Sequence, residues 1–301
     1  DPAELINGIV NKASLILKSS DPVESKIIKL NDINSWNASI LLLQNQMFDI
    51  GWKLYDFGLR SPAKGAQAWQ RALPKPFTHQ ELPLWQGSSL DGKSILLLEE
   101  QAIGDAMQFA TLVPALLNEP KHVGLFVSNR LYPVYVRSFQ EYIAQGVLSV
   151  YSFDDVNNGR LTSVDFDFQS PLGSICQHRF THPKLYSSKS PIIIADSDSS
   201  NKLKEKYLGS LESQPKQVVG LSWRGGGTKE RMSQKSIPLL ELANVLKDYK
   251  DILFISLQYG DCSKDVQALR SHGVNILLDQ DIDAVSNFDQ WLAQVAVCDS
   301  V

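Results

Sequence analysis

The chain reads as an α/β protein: two units built on parallel sheets, preceded by a helical segment. Three observations predict this. Apolar residues recur at helical spacing over roughly the first 75 positions, short apolar runs alternate with helical stretches from residue 94, and the alternation restarts at residue 217. The length accommodates it, since 301 residues are about twice an ordinary domain.

The helical segment rests on Leu5, Ile9, Leu15, Ile16 and Leu17, then on two stretches that stand out, Trp36 to Leu43 and Phe48 to Phe57. The polar Gln44-Asn45-Gln46 between them makes a tight turn, and Ala38 and Gly51 supply small packing positions. Such a pair is one helical-hairpin repeat of a solenoid. Pro74, Pro76 and Pro83 mark residues 73 to 93 as a connector. Beyond it, strands are expected at 94–99, 122–128 and 147–152, with helices at 106–118 and 131–145. Asp165, Asp167 and Gln169 alternate with Phe166 and Phe168 as in a half-buried strand. A Ser- and Asp-rich stretch, 187 to 201, separates the units. The second unit predicts strands at 217–223, 252–257 and 274–278 and helices at 238–249, 263–271 and 287–297. Strand, helix and strand at these spacings mean parallel sheets with right-handed crossovers, so two facing Rossmann-like domains are expected. The expected boundaries are 1–85 for the helical segment and connector, 86–200 for the first sheet domain and 201–301 for the second.

Composition excludes several function classes. Apolar residues make up 43% and charged residues 21%, with 18 Gly and 14 Pro, which describes a chain with a core rather than a disordered one. A net charge of −4 supplies no overall positive field for nucleic acid or an anionic bilayer, so any anion site is local. Cys176, Cys262 and Cys298 are too few and scattered for a disulfide framework, which points to a reducing compartment and to the cytoplasm. No run approaches the ~20 apolar residues of a membrane span. The opening Asp1-Pro2-Ala3-Glu4 has neither an initiating Met nor an export signal, and together with the ending Asp299-Ser300-Val301 it suggests an excerpt of a longer protein.

In open parallel sheets ligands bind beyond the carboxyl ends of the strands, so the loops just after strands are the ones to inspect. The first runs from Glu99 through Gln101, Gly104, Asp105 and Gln108 to Phe109. Gly104 permits a turn that delivers Asp105 to the helix start, where a carboxylate can act as a general base toward an acceptor hydroxyl. The same Asp105, with Gln108 three residues on, has the spacing of a capping box, so a helix cap is the alternative. The second loop, Arg224 to Lys235, holds Arg224, Lys229, Arg231 and Lys235 against the single acid Glu230, with Gly225, Gly226 and Gly227 exposing backbone N–H groups. This is the chemistry of a diphosphate clamp, or of a solvated basic loop. Cys176, His178 and His182 have a ligand-like spacing without a nearby fourth ligand, and no structural metal is expected. Trp52, Tyr55, Trp69 and Trp85 are expected to pack between domains rather than to form a sugar platform.

With both loops placed, a resemblance emerges. Trp36-Asn37-Ala38-Ser39, Gly51-Trp52-Lys53-Leu54-Tyr55, Trp85-Gln86-Gly87, Leu90-Asp91-Gly92-Lys93, and Glu100-Gln101-Ala102-Ile103-Gly104-Asp105-Ala106-Met107-Gln108-Phe109 with Pro114 resemble the bacterial tetratricopeptide-repeat proteins that end in a glycosyltransferase-like domain, itself similar to heptosyltransferases. Pro171-Leu172-Gly173-Ser174, Val219 to Trp223, Lys235 to Leu239 and Ser256 to Gly260 follow in the expected order. The resemblance implies a GT-B pair of Rossmann-like domains, acceptor on the first and nucleotide-sugar donor on the second, with inverting transfer and no metal or cofactor. By position it implies Asp105 as general base, and Gln101, Gly104 and Gln108 around it on the acceptor side. On the donor side it implies Lys235 against the donor phosphates and Ser256, Leu257 and Gln258 in the nucleotide pocket, beside Trp223, Arg224, Gly225, Lys229 and Arg231. The acceptor class stays open among glycan, lipid-linked and protein acceptors, and the repeats imply a protein partner. Two positions depart from the pattern: Ala102 stands where the family has Gly, and Lys235 where it has Arg, which alone could make a bidentate fork. The family would continue past Val301 into a helix start that holds the diphosphate, so this excerpt alone is expected to transfer sugar poorly. The alternative function is a repeat-bearing scaffold with a non-catalytic transferase-like domain.

Overall fold

The computed structural model describes residues 2–60, 76–186, 192–209, 215–226 and 229–301, without the side chains of Pro2 and of residues 229–231. Trp69, Pro74, Gly227 and Thr228 lie outside the described residues, as do the side chains of Lys229 and Arg231. The chain divides into two compact units, Asp1–Ile193 and Ile194–Val301.

The first unit begins with four helices, α1 (Pro2–Lys18), α2 (Val23–Asp32), α3 (Ser35–Gln44) and α4 (Phe48–Gly58). Ala13, Leu30, Ala38, Leu42 and Leu54 form their shared core, flanked by Ile9, Ile16 and Ile50. The expected hairpin is α3 with α4. Its helices approach closely because Gly51 and Gly58 carry no Cβ; one at Gly51 would stand 2.9 Å from Leu43 and one at Gly58 3.0 Å from the Trp36 backbone. The helical segment lies in the first compact unit, where α4 carries most of its contacts with the sheet-bearing part.

Strand β1 (Ser94–Leu98) leads into α5 (Ile103–Ala110) and α6 (Val113–Leu116); β2 (His122–Val127) into α7 (Tyr132–Ser138) and α8 (Gln140–Ala144); β3 (Leu148–Ser152) into α9 (Asp154–Asn157). β4 (Phe168–Pro171) is followed by a short 3-10 turn and α10 (Cys176–Arg179). The sheet is wholly parallel in the order β3-β2-β1-β4. Its inner strands are buried on both faces, as helices on either side of a parallel sheet require. β4 starts later than the alternation around Asp165 predicts. The carboxylate of Asp167 turns back to accept from the Ser94 amide at 2.8 Å and from Lys93 Nζ at 3.0 Å, and a 3-10 turn occupies Ser163–Asp165.

The second unit opens on α11 (Ser197–Leu208), whose cap Asp196 accepts from the Ser199 amide at 2.8 Å. Then come β5 (Gln217–Leu221), α12 (Lys229–Gln234), α13 (Leu239–Leu246), β6 (Ile252–Ser256), α14 (Ser263–Ser271), β7 (Ile276–Leu277) and α15 (Phe288–Val297). The strands are parallel in the order β5-β6-β7. Leu203, Tyr207, Ala293 and Val297 cover one face; Trp223, Ala243, Val266 and Leu269 cover the other. A parallel bridge between Val219 and Ser300 places the end of the chain on the far side of β5 from β6. β5 stops two residues short of expectation because the Trp223 amide bonds the Gln258 side chain instead of a neighbouring strand. Among the described residues no helix is long and apolar enough to cross a membrane.

Candidate functional site

Both sheets reverse their winding beside their first strand. In the first unit the chain proceeds from β1 to β2 and β3, then returns to β4 on the other side of β1. In the second, β6 and β7 lie on one side of β5 and Ser300 on the other. In such sheets ligands usually bind beyond the carboxyl ends of the strands that flank a reversal. The loop after β1 carries Asp105; the loop after β5 carries Arg224 and Gly225.

In the first unit α5 begins earlier than the spacing suggests, so Asp105 sits in its first turn rather than at its cap. Its Oδ2 accepts from the Ala102 amide at 3.2 Å, the reciprocal half of a capping box, and Gln108 is exposed one turn on. Asp105 is half-buried, with a second oxygen that makes no bond among those described. The residue in the left-handed region is Gln101, at φ 61°, and not Gly104, whose surroundings are open. Gln101 Nε2 donates to Tyr55 Oη, which donates in turn to Glu100 Oε1 at 3.4 Å.

Beneath this loop lies a buried polar cluster that sequence reasoning missed. Glu100 is 1% exposed and its carboxyl is pushed up to about 8, chiefly by burial and next by the charge of Asp56. Glu100 Oε2 has no hydrogen-bond partner among the described residues. A neutral acid tolerates that orphaned oxygen far better than a carboxylate does, so Glu100 is protonated at neutral pH. Asp56, fully buried on α4, is paired with Arg60 at 2.7 Å and accepts from Ser174 Oγ at 2.6 Å. Burial also pushes the Tyr55 hydroxyl and the Cys176 thiol up, keeping both protonated. The i,i+4 spacing of Asp56 and Arg60 was the available signal. Nothing local links either to Glu100.

The expected aromatic group divides. Trp52 and Tyr55 pack edge-on against each other and against Phe109, and Tyr55 also meets the tilted ring of Trp36, whereas Trp85 meets His178 at 5.0 Å and the Arg179 guanidinium at 4.7 Å. Burial lowers the His178 pKa, and Cys176 is fully buried. Among the described residues no cluster of three His, Cys, Asp or Glu side chains is placed to hold a metal.

In the second unit the loop after β5 returns on itself. The Ile237 amide donates to Trp223 O at 2.9 Å and the Gly225 amide to Ser236 Oγ at 3.3 Å, bringing exposed Lys235 alongside Gly225. A Cβ on Gly225 would reach within 2.5 Å of the Lys235 Cβ, so the two strands of the loop approach closely only with glycine there, whereas one on Gly226 would meet the hydroxyl of the exposed Tyr259 side chain. Trp223 is a core residue whose Nε1 donates to Asp265 at 3.1 Å. The Arg224 guanidinium bends back to the same Asp265 at 3.3 Å and to Asp261 O at 3.0 Å. Gln258 staples the two loops: its Oε1 accepts from Ser222 Oγ and from the Trp223 and Arg224 amides, while Nε2 donates to Arg224 O and Tyr259 O. Leu257 uses its amide on Leu221 O and its carbonyl on Trp291 Nε1.

Ser256, Leu257 and Gln258 also form one wall of a cavity of about 360 Å³ beyond the ends of β6 and β7. Cys262, Leu278, Ile282 and Trp291 give it apolar surface; Asp261, Asp279 and Asp283 give it acceptors. Asp279 is the anchored one. Burial raises its pKa, yet bonds from Lys206 Nζ at 2.8 Å and Tyr207 Oη at 2.7 Å outweigh that and hold it below the usual range. Arg224 and Lys235 do not line this cavity.

The chain is 25% identical over 271 residues to Protein FlbA of Caulobacter vibrioides, across 88% of this chain and 43% of that relative. It therefore spans less than half the length of the curated relative it matches. No protein-family model matches the chain, and no solved structure does.

Proposed function

We propose that the chain belongs to a nucleotide-sugar-dependent glycosyltransferase of GT-B type, with the first sheet unit on the acceptor side and the second on the donor side. The observation that carries this reading is the pair of loops at the two winding reversals: an acid-bearing one after β1 and a glycine-rich, cation-bearing one after β5. The residues divide the labour by chemistry. Asp105 takes the proton of an acceptor hydroxyl as that oxygen attacks the anomeric carbon; the bond to the donor phosphate breaks, and the configuration inverts. Negative charge builds on the departing nucleotide. The Gly226 backbone and the exposed cation Lys235 are suited to receive it, with Arg224 bracing the loop on Asp265. The cavity falls within the usual range of ligand sites, ~300–1,000 Å³, and its carboxylates suit the hydroxyls and N–H groups of a nucleoside rather than its phosphates.

The test is a thermal-shift screen of UDP-, GDP-, ADP- and CMP-sugars on the full-length protein. One nucleotide is expected to stabilise it, by ~2.7 kcal/mol at 100 times its Kd, and Lys235→Ala to weaken that binding in a salt-dependent way. No shift with any of the four contradicts the reading. One observation favours a second reading: the bond from the Ala102 amide already gives Asp105 a structural role as a cap, which a repeat-bearing scaffold without catalysis would also need.

A further inference from the structure

The helix that bears Asp105 is gripped from the helical hairpin on both sides of that residue. Before it, Gln101 holds a left-handed backbone at φ 61°, a conformation that side-chain-bearing residues rarely adopt unless something holds it. One bond that holds it runs from Gln101 Nε2 to Tyr55 Oη. Tyr55 belongs to α4, and its hydroxyl has buried Glu100 as its own acceptor at 3.4 Å. After Asp105, Phe109 lies one helical turn on and packs edge-on to Tyr55 and Trp52, with ring centroids 5.9 and 6.1 Å apart. The hydroxyl of Tyr135 fixes the opposite side of the turn, donating to Ala106 O at 2.9 Å. The loop after β4 closes the cluster from above, since a Cβ on Gly173 would collide with Glu100 Oε1.

We propose that Tyr55 and Gln101 are positioning residues for Asp105, so that the helical hairpin is a working part of the transfer site and not only a docking module. Catalytically, this rests on the transferase reading, in which Asp105 is the base. Structurally it does not, since the grip itself is measurable without turnover. Misplacement of a reacting group by about 1 Å costs up to ~10²-fold in rate, so the orientation of the Asp105 carboxylate is worth holding from two directions.

The experiment uses three variants of the full-length protein. Tyr55→Phe keeps the ring and its aromatic contacts but leaves Gln101 Nε2 without its acceptor; Gln101→Gly removes the other partner and relieves the backbone; Ser39→Ala removes a hairpin bond, Ser39 Oγ to Trp36 O at 2.6 Å, that does not touch the loop. Hydrogen exchange read on peptides covering 101–106 should lose at least tenfold protection in Tyr55→Phe and Gln101→Gly and none in Ser39→Ala. Hydrolysis of whichever nucleotide-sugar gives a thermal shift should show kcat down ~10–100-fold in the first two with donor KM within twofold, and no greater loss when they are combined. Unchanged protection in Tyr55→Phe overturns the proposal. So does a fall in kcat matched by Ser39→Ala at equal loss of melting temperature. If Asp105→Asn turns over at the wild-type rate, the transferase reading fails and the exchange measurement alone decides whether the hairpin orders the loop.

Discussion

Replacing Glu100 by Gln should change how the stability of the first unit responds to pH. Glu100 has a carboxyl pKa near 4.5 when exposed and about 8 in the folded chain, where burial and the Asp56 charge oppose ionisation. The sign follows from proton counting: between those values the folded state binds the proton and the unfolded state does not, so folding loses stability as pH rises. The contribution is complete below pH ~4.5 and falls by ~1.4 kcal/mol for each unit above it, until the folded group itself ionises near pH 8. From pH 5.5 to 7.5 this amounts to ~3 kcal/mol. Gln has no such proton. It adds instead an amide whose N–H groups inherit the unpartnered position of Oε2, a roughly constant cost of ~1–3 kcal/mol. Glu99, raised by burial, and His178, lowered by it, add slopes of their own, but these are common to both proteins and cancel in the difference. Urea unfolding followed by tryptophan fluorescence at pH 5.5, 6.5 and 7.5 reads the effect. Wild type should lose ~3 kcal/mol more than Glu100→Gln across that range, and by pH 7.5, about 4 kcal/mol below its acid-side value, it should be the less stable of the two. Parallel curves for the two proteins would refute the burial of a neutral acid.

Two further substitutions probe the supports of the two sites. Arg60→Met strands the fully buried Asp56 without its cation and should cost ~3–5 kcal/mol in urea unfolding, whereas the double variant Asp56→Leu with Arg60→Met should recover a large part of it. In the second unit Gln258→Ala removes the acceptor shared by Ser222, Trp223 and Arg224; leaving the buried Trp223 amide unpaired should cost ~1–3 kcal/mol and weaken nucleotide binding measured by calorimetry, although the Gln258 amide itself is spent on Arg224 O and Tyr259 O.

The architecture was legible because its determinants are periodic. The apolar run Ile95 to Leu98 and the run Leu253 to Ile255, each followed by a helical stretch, specify buried parallel strands without knowledge of the rest of the chain. Element ends were less legible, since they are set by single long-range bonds or by local turns. β5 ends where Gln258, 35 residues away from Trp223, takes its amide, and β4 starts late because a 3-10 turn occupies Ser163–Asp165. The two candidate loops do follow strands, as expected, a positional rule that needs only the strand assignment. What lay outside reach was which polar side chains the fold spends internally. Arg224 and Gln258 look free in the sequence and are occupied in the structure, while Glu100, flanked by another acid, looks solvated and is buried. Lys206, Tyr207, Asp279 and Gln294 meet across more than 70 residues for the same reason. Charge and spacing say what a side chain can bond; only the assembled sheet says what it does bond.

The central claim is that Asp105 does chemistry beyond holding Ala102. Asn at this position can still accept the Ala102 amide, so Asp105→Asn should leave the melting temperature within a few degrees of wild type. It cannot take a proton from an acceptor hydroxyl. Turnover of the nucleotide-sugar that binds, measured for both full-length proteins at equal folded concentration, is predicted to fall by ~10²–10⁴ in the variant. Equal rates at equal stability would contradict the account and leave Asp105 as a helix cap in a protein that binds without catalysing.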